Sequence, residues 1–421
     1  MNYRVYLSRI EQCIFFLFLL FLPTQLGKHF WPSFAIVQGL RVDYLAPTMY
    51  VTDVLLLILF FIWLLRIFFF RSRKHESGIK RGCQLLNSRR KTLTHTFLFL
   101  IPAFYLLLTI FLSGSHGNSW YYFFKFLEVS FLAYYIATTV KTAKQLQMLV
   151  LAFSLATIFE SCLAIGQYVH QSSLNGIFYF FGERTFTQDT PGIANAVING
   201  HLLLRPYGTF SHPNVLAGYL VCSLILGSFF LNQKSRLKNH GIWYQSLLSI
   251  SFVLGSIALV STLSRTAIIA WIVVVAVRLS LLCKWHGLKR ENQVARNLFI
   301  PALSRRMIHN SLFLIQLLIA GIVFFFIASL FFQSILPRFL QTNLTDESVT
   351  QRLQLLQESL HMLQTHLLFG VGLGNFLPML AKQNKLISLT FGLQPVHNIF
   401  LYVASETGLI GFFFFCLFLF Q

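Results

Sequence analysis

Four side chains in this sequence have the types and positions needed to hold an anion and move a proton: Arg205, Arg265, Arg352 and His397. Arg205 opens the segment RPYGTFSHPNVLAGYL, in which a fixed charge and a turn-rich polar loop run directly into an apolar helix beginning at Pro213. Arg265 lies in the short connection Ser264-Arg265-Thr266, Arg352 lies on a predicted loop helix, and His397 stands beside Asn398 at the head of the last apolar run. Guanidinium forks bind phosphate oxygens bidentately and never lose their charge, so such a group suits a phosphate or a pyrophosphate. A histidine at the same level suits proton transfer near neutral pH. Taken singly, an arginine at the end of a span is explained by snorkelling to headgroups, and His397 or Asn398 alone by a helix start. The set together carries the chemistry.

These residues must be positioned by membrane helices. Apolar residues make up 56% of the 421 and charged residues only 11%, with 47 phenylalanines, and apolar runs recur at about the 20 residues that cross a hydrocarbon core. The predicted class is an all-α polytopic integral membrane protein of about 10 transmembrane helices, with a helical outer loop between the last two spans. Spans are placed at 10–26, 50–70, 93–112, 120–140, 146–169, 213–232, 242–262, 265–283, 311–333 and 398–421. The domain reading is a five-span region 1–170, an outer loop 171–212, a central membrane region 213–333 with a basic cytoplasmic loop 284–310, an outer helical loop 334–397, and the last span 398–421. The first span follows Arg4 and Arg9 like a signal peptide, but no small-residue cleavage site follows it, so it is read as retained.

Of the 33 Lys and Arg residues, 23 fall on the side that holds the N-terminal tail, the run from Arg66 to Lys91 and the run from Arg278 to Arg306. The positive-inside rule therefore puts the N-terminus in the cytoplasm and all four candidate residues on the outer side. The net charge of +20 is then an attraction to anionic lipid headgroups, because the basic residues sit beside spans, and nucleic-acid binding is not expected.

Other features read as support or as structure. In the outer helical loop, Ser348 to Gln351 fits a capping box with Asp346 and Glu347 at the favourable dipole end, and Leu353, Leu356, Leu360 and Leu363 recur at helical spacing as a stripe for a membrane surface or a cavity roof. That helix is expected to end near Gly370 in VGLGN. His361 and His366 read as surface residues of it. Glu406, inside the last span, is costly without a partner, yet on one continuous helix it lies opposite His397 and forms no dyad with it. Lys125 and Glu128 read as a mutual pair, and Glu160 as a buried carboxyl with no evident partner. The six cysteines show no Cys-x-x-Cys spacing, Asp43 and Asp53 stand apart, and no Walker loop, GxGxxG or His-Glu-x-x-His is present. No metal and no cofactor are expected, which leaves the arginines to hold the charge.

The order and spacing of RPYGTF with His212-Pro213-Asn214, then Ser264-Arg265, then FGVGLGNF from Phe369, then His397-Asn398 with ETGLIG from Glu406, resembles the O-antigen ligase and polymerase family over about 180–421. The resemblance implies an inner-membrane glycosyltransferase of bacteria, multi-pass, that takes a glycan from undecaprenyl diphosphate on the periplasmic or outer face in cell-surface polysaccharide biosynthesis. It implies Arg205, Arg265 and Arg352 on the diphosphate, His397 on the acceptor hydroxyl, and His212, Asn214, Asn398 and Glu406 in support. Partners would be a lipid-linked glycan donor, a glycan, lipid or protein acceptor, and membrane lipids. Ligases, repeat-unit polymerases and protein O-oligosaccharyltransferases share these motifs. In this sequence Leu367 follows His366 where the family usually has proline, and the chain ends at Gln421 where the family usually adds about two more helices, giving an expectation of truncation from about 12. The rival class, a lipid-linked glycan flippase or other transporter, would carry its polar residues through the midplane rather than at one face.

Overall fold

The computed structural model describes residues 3–37, 39–71, 100–198, 201–231, 242–277, 347–383 and 393–419. In chain order the helices are α1 (Tyr3–Phe21), α2 (Val51–Arg71), α3 (Leu100–Leu112), α4 (His116–Thr139), α5 (Ala143–His170), α6 (Pro213–Leu231), α7 (Ile242–Ser261), α8 (Arg265–Val277), α9 (Glu347–Thr365), α10 (Phe376–Gln383) and α11 (Ile399–Leu419). Four segments, Val51–Phe68, Ala143–His170, Trp243–Ser261 and Ile399–Leu419, are long and apolar enough to cross a bilayer. Shorter apolar helices, Leu100–Leu112, Pro213–Ser228 and Arg265–Val277, fall within three further predicted spans. α1 and α4 are helical where spans are predicted, but Arg4, Arg9 and Glu11 in the one and Asn118, Lys125 and Glu128 in the other dilute their hydropathy. The predicted span at 311–333 and the basic loop at 284–310 lie outside the described residues.

The all-helical expectation needs one correction. Three two-stranded antiparallel ribbons occupy the loops: β1 (Gly27–His29) with β4 (Thr48–Tyr50), β2 (Ile36–Val37) with β3 (Leu40–Arg41), and β5 (Asn195–Ile198) with β6 (His201–Leu204). The register of the last ribbon pairs Asn195 with Leu204 and Ile198 with His201.

The chain divides into two compact units, each made from separated stretches. Unit 1 comprises Met1–Ser8, Gly27–Thr139 and Gln341–Gln421, and unit 2 comprises Arg9–Leu26 and Val140–Leu340.

In unit 1, a core joins Leu355 and Met362 of α9, Phe376, Leu377 and Leu380 of α10, Val396, and Ala35, Val42 and Leu45 of the first loop. The leucine stripe read from the sequence does not supply this core. Leu353 and Leu360 are exposed, and the face that α9 buries runs Leu355, Ser359, Met362. Glu347 is already helical, so Ser348 lies within α9 rather than at its cap, and Asp346 lies outside the described residues. His361 and His366 are exposed, as expected of surface positions, and the chain turns at Gly370 with φ +68°. Lys125 bonds Glu128 at 3.1 Å and also bonds Asp53, which the sequence leaves solitary.

Helix α11 is broken inside unit 1. Gly408 has φ 64° and ψ −173°, a conformation essentially reserved for glycine, and frees the carbonyl and amide groups on either side. The Gly-rich turn after α9 takes them up: Val371 N–H donates to the Ser405 carbonyl at 2.9 Å, Gly372 N–H to the Glu406 carbonyl at 2.9 Å, and Leu409 N–H to the Leu367 carbonyl at 2.9 Å. A Cβ on Gly408 would fall well inside van der Waals contact of the Leu368 carbonyl. Gly408→Ala is therefore expected to destabilise the protein by about 2–4 kcal/mol, from backbone strain plus the clash. Gly218→Ala, on α6 with no atom within 4 Å of the added carbon, is expected to stay within about 1 kcal/mol. Thermal unfolding of both variants in nanodiscs checks this, and equal melting temperatures would contradict it.

In unit 2, α5 packs on α6 and α7. Leu216, Leu220 and Leu224 of α6, four residues apart, bury one stripe against Phe252, Ala258 and Leu259 of α7 and Ala267 and Trp271 of α8. Gly255 admits Leu224 so closely that a Cβ there would sit 2.9 Å from its Cδ2. A Thr157–Ser223 hydroxyl bond links α5 to α6 across the apolar interface. This helix bundle is the base on which the Arg205 loop rests.

Candidate functional site

Two buried side chains of α5 fix the Arg205 loop. Gln167 Oε1 accepts the N–H groups of Tyr207 at 2.9 Å and Gly208 at 2.8 Å, while its Nε2 donates to the Gly208 carbonyl at 3.0 Å and to Glu183 at 2.9 Å. Glu160, fully buried, accepts the Thr209 N–H at 3.0 Å and lies 2.7 Å from the Thr209 hydroxyl. The carboxyl that the sequence leaves unpartnered thus anchors the loop. Gly208 has φ +58° and leaves no room for a Cβ beside Glu160, so glycine is required at the centre of RPYGTF.

On this support Arg205 reaches two other elements. Its Nε donates to the Thr262 carbonyl at 2.7 Å and its Nη2 to Asn214 Oδ1 at 2.6 Å. Thr262 precedes Leu263, which has φ +53°, and Arg265 is the first residue of α8. Asn214 lies in the first turn of α6, where its own N–H donates to His212 Nδ1 at 3.1 Å. The guanidinium of Arg205 is therefore seated between the start of α6, whose dipole favours an anion, and the carbonyl end of α7, whose dipole favours the cation itself. Sequence reasoning gathers Arg205, His212, Asn214 and Arg265 here, all within unit 2.

It misses Arg184. This exposed residue lies 5.4 Å over the Tyr207 ring and donates through Nη2 to the Ser211 carbonyl at 2.9 Å. The sequence signal is faint: a Gly-Glu-Arg-Thr run in a loop rich in aromatic residues.

In unit 1, His397 precedes α11 and Asn398 caps it. Asn398 Oδ1 accepts the N–H groups of Phe400 at 3.0 Å and Leu401 at 3.3 Å. The side chain of His397 makes no hydrogen bond among the described residues and keeps an exposed edge. Partial burial of the ring is the larger cause that holds its pKa below the usual histidine range, and the positive charge of Arg352 on α9 is the smaller. Both causes favour the neutral imidazole. Arg352→Gln is expected to raise the His397 pKa without restoring it fully, because the burial remains. An NMR titration of labelled imidazole checks this, and an unchanged midpoint would contradict it.

Glu406 is buried and turned to another task. Its carboxylate accepts the N–H groups of Gly374 at 2.9 Å and Phe376 at 3.2 Å, holding the Gly-rich turn and the start of α10. As expected, it does not pair with His397. The same turn is held from α4 by Ser119, whose hydroxyl donates to the Leu373 carbonyl at 2.7 Å. Among the described residues no three His, Cys, Asp or Glu side chains gather as metal ligands.

Helices of this length and hydropathy, with polar clusters at their ends, define a multi-pass α-helical membrane protein. Residues 250–416 match the sequence model of the family described as O-antigen ligase. That region is what the chain shares with the O-antigen ligase family. The matched residues include Arg265, Arg352, His397 and Glu406, whereas Arg184, Arg205, His212 and Asn214 precede them. No curated protein and no solved structure matches the chain.

Proposed function

We propose that this protein is a membrane glycosyltransferase that moves a glycan from undecaprenyl diphosphate to an acceptor hydroxyl on the periplasmic or outer face of the bacterial inner membrane, with its N-terminus in the cytoplasm. The observation that carries the proposal is the seating of Arg205, fixed by two bonds between the start of α6 and the turn from α7 into α8, which Arg265 begins. A pre-oriented cation of that kind stabilises negative charge that grows on a leaving diphosphate, and it does so without reorganising during the reaction. The family to which residues 250–416 belong supports the same class of chemistry.

In the proposed step the acceptor oxygen attacks the anomeric carbon. The new glycosidic C–O bond forms as the C–O bond to the diphosphate breaks, and undecaprenyl diphosphate leaves with both electrons of that bond. In unit 2, Arg205 and Arg265 bind the diphosphate. In unit 1, His397 takes the hydroxyl proton, with burial and Arg352 keeping the imidazole neutral beforehand. Asn214 bonds Arg205 and donates its own N–H to His212, Asn398 caps the helix that His397 precedes, and Glu406 holds the Gly-rich turn and the start of α10. About ten spans, as predicted from the hydropathy, would carry the two units.

The test is to incubate the purified full chain in nanodiscs with labelled undecaprenyl-diphosphate glycan and a panel of lipid, glycan and protein acceptors. Label is expected to move to one acceptor class, with free undecaprenyl diphosphate as co-product. Donor left intact with every class would contradict the proposal.

A further inference from the structure

Arg184 and Arg205 hold opposite ends of one turn. Arg184 bonds the Ser211 carbonyl at 2.9 Å and Arg205 bonds Asn214 Oδ1 at 2.6 Å, with His212 between them and α6 starting at Pro213. Arg184 is also placed by a rigid surface. The Tyr207 ring beneath it is 2% exposed, its hydroxyl accepts the Ala194 N–H at 2.7 Å, and it packs on Phe186 with ring centroids 5.0 Å apart. A cation stacked on a fixed ring loses little freedom when it binds a ligand.

Only one guanidinium nitrogen of Arg184 is used by the protein. Among the described residues, Nε and Nη1 carry no hydrogen bond, although the side chain is exposed. A tie between two loop segments needs one N–H, and a neutral side chain would supply it. A stacked guanidinium with part of its fork unused is suited to a phosphoryl oxygen pair.

We propose that Arg184 is a further anchored guanidinium for the donor, so that the lipid diphosphate held by Arg205 and Arg265 is also met by a cation at the opposite end of the Ser211–Asn214 turn. This rests on the function proposed above and adds to it a residue outside the family-matched region. Arg184 binds the donor and takes no part in the proton transfer.

The test uses the full chain in nanodiscs of zwitterionic lipid, so that anionic headgroups do not compete. Arg184→Ala is expected to raise the KM for the lipid-linked donor about tenfold and to weaken inhibition by inorganic pyrophosphate by a similar factor, since a charge-assisted contact is lost. The kcat, the acceptor KM and the melting temperature are expected to hold. Arg184→Lys should recover only part of the loss, because an ammonium lacks the planar fork. A donor KM and pyrophosphate inhibition within twofold of the parent protein would overturn the inference, as would a loss that follows a fallen melting temperature with inhibition unchanged. Arg205→Ala run in parallel separates the two proposals. If the parent protein transfers glycan and Arg205→Ala does not, a normal Arg184→Ala overturns this inference alone. A parent protein that neither transfers nor binds pyrophosphate overturns both.

Discussion

Arg205→Ala is expected to lower kcat/KM for transfer from the lipid diphosphate donor by about 10²–10³-fold, the loss typical when one pre-oriented charge stabiliser is removed from a reacting site. The effect has two parts. Loss of the guanidinium removes the charge that offsets the leaving diphosphate. It also strips the Thr262 carbonyl and Asn214 Oδ1 of their donor, which is expected to cost about 1–3 kcal/mol of stability. Arg205→Lys tells the parts apart. Lysine keeps the charge, but one ammonium cannot reproduce the flat geometry in which Nε and Nη2 serve Thr262 and Asn214. Its expected activity therefore lies well below that of the parent protein and above that of the alanine variant. Steady-state transfer kinetics, with melting temperatures measured alongside, check both expectations. Full activity in the alanine variant would remove Arg205 from the site.

His397→Ala is expected to cost about 10²–10⁴-fold in kcat, the range for loss of a positioned general base, with the donor KM little changed. The imidazole forms no hydrogen bond among the described residues, and Asn398 rather than His397 caps α11, so removing the ring leaves the helix start intact. The pH profile of the parent protein adds a sign. Burial and the Arg352 charge both lower the His397 pKa from its usual 6.5, so the base stays neutral, and competent, at a lower pH than an ordinary histidine would. The acid limb of the rate profile is expected below that value, and in Arg352→Gln it is expected to move upward. An acid limb above 6.5, or a His397→Ala variant of normal kcat, would contradict the role given to this residue.

The parts of this architecture that depend on neighbours in sequence were legible before any coordinates. RPYGTF announces a turn-rich polar loop, Pro213 announces the first turn of α6, and Asn398 announces a cap; each is a local property of a few residues. What escaped depends on distant partners. Glu160 finds Thr209 across 49 positions, and Asp53 finds Lys125 across 72, pairings that no periodicity records. Arg184 is identified only by the Tyr207 ring beneath it. In α9 apolar residues lie on two faces: Leu353 and Leu360 stay exposed, as a stripe for a membrane surface would, and the second face, Leu355 with Met362, which spacing alone did not single out, enters the core. The break at Gly408 was hidden because the short polar stretch Ser405-Glu406-Thr407 before it lies between two apolar runs that read together as one span.

The account stands most directly on whether donor cleavage and acceptor glycosylation are one event. Proteoliposomes carrying the full chain and an undecaprenyl-diphosphate glycan labelled in both lipid and sugar, with acceptor supplied outside, allow both products to be counted. The account predicts one undecaprenyl diphosphate released for each acceptor glycosylated, with both products lost in Arg205→Ala. Movement of the intact lipid-linked glycan across the bilayer, with the bond between sugar and diphosphate unbroken, would contradict it.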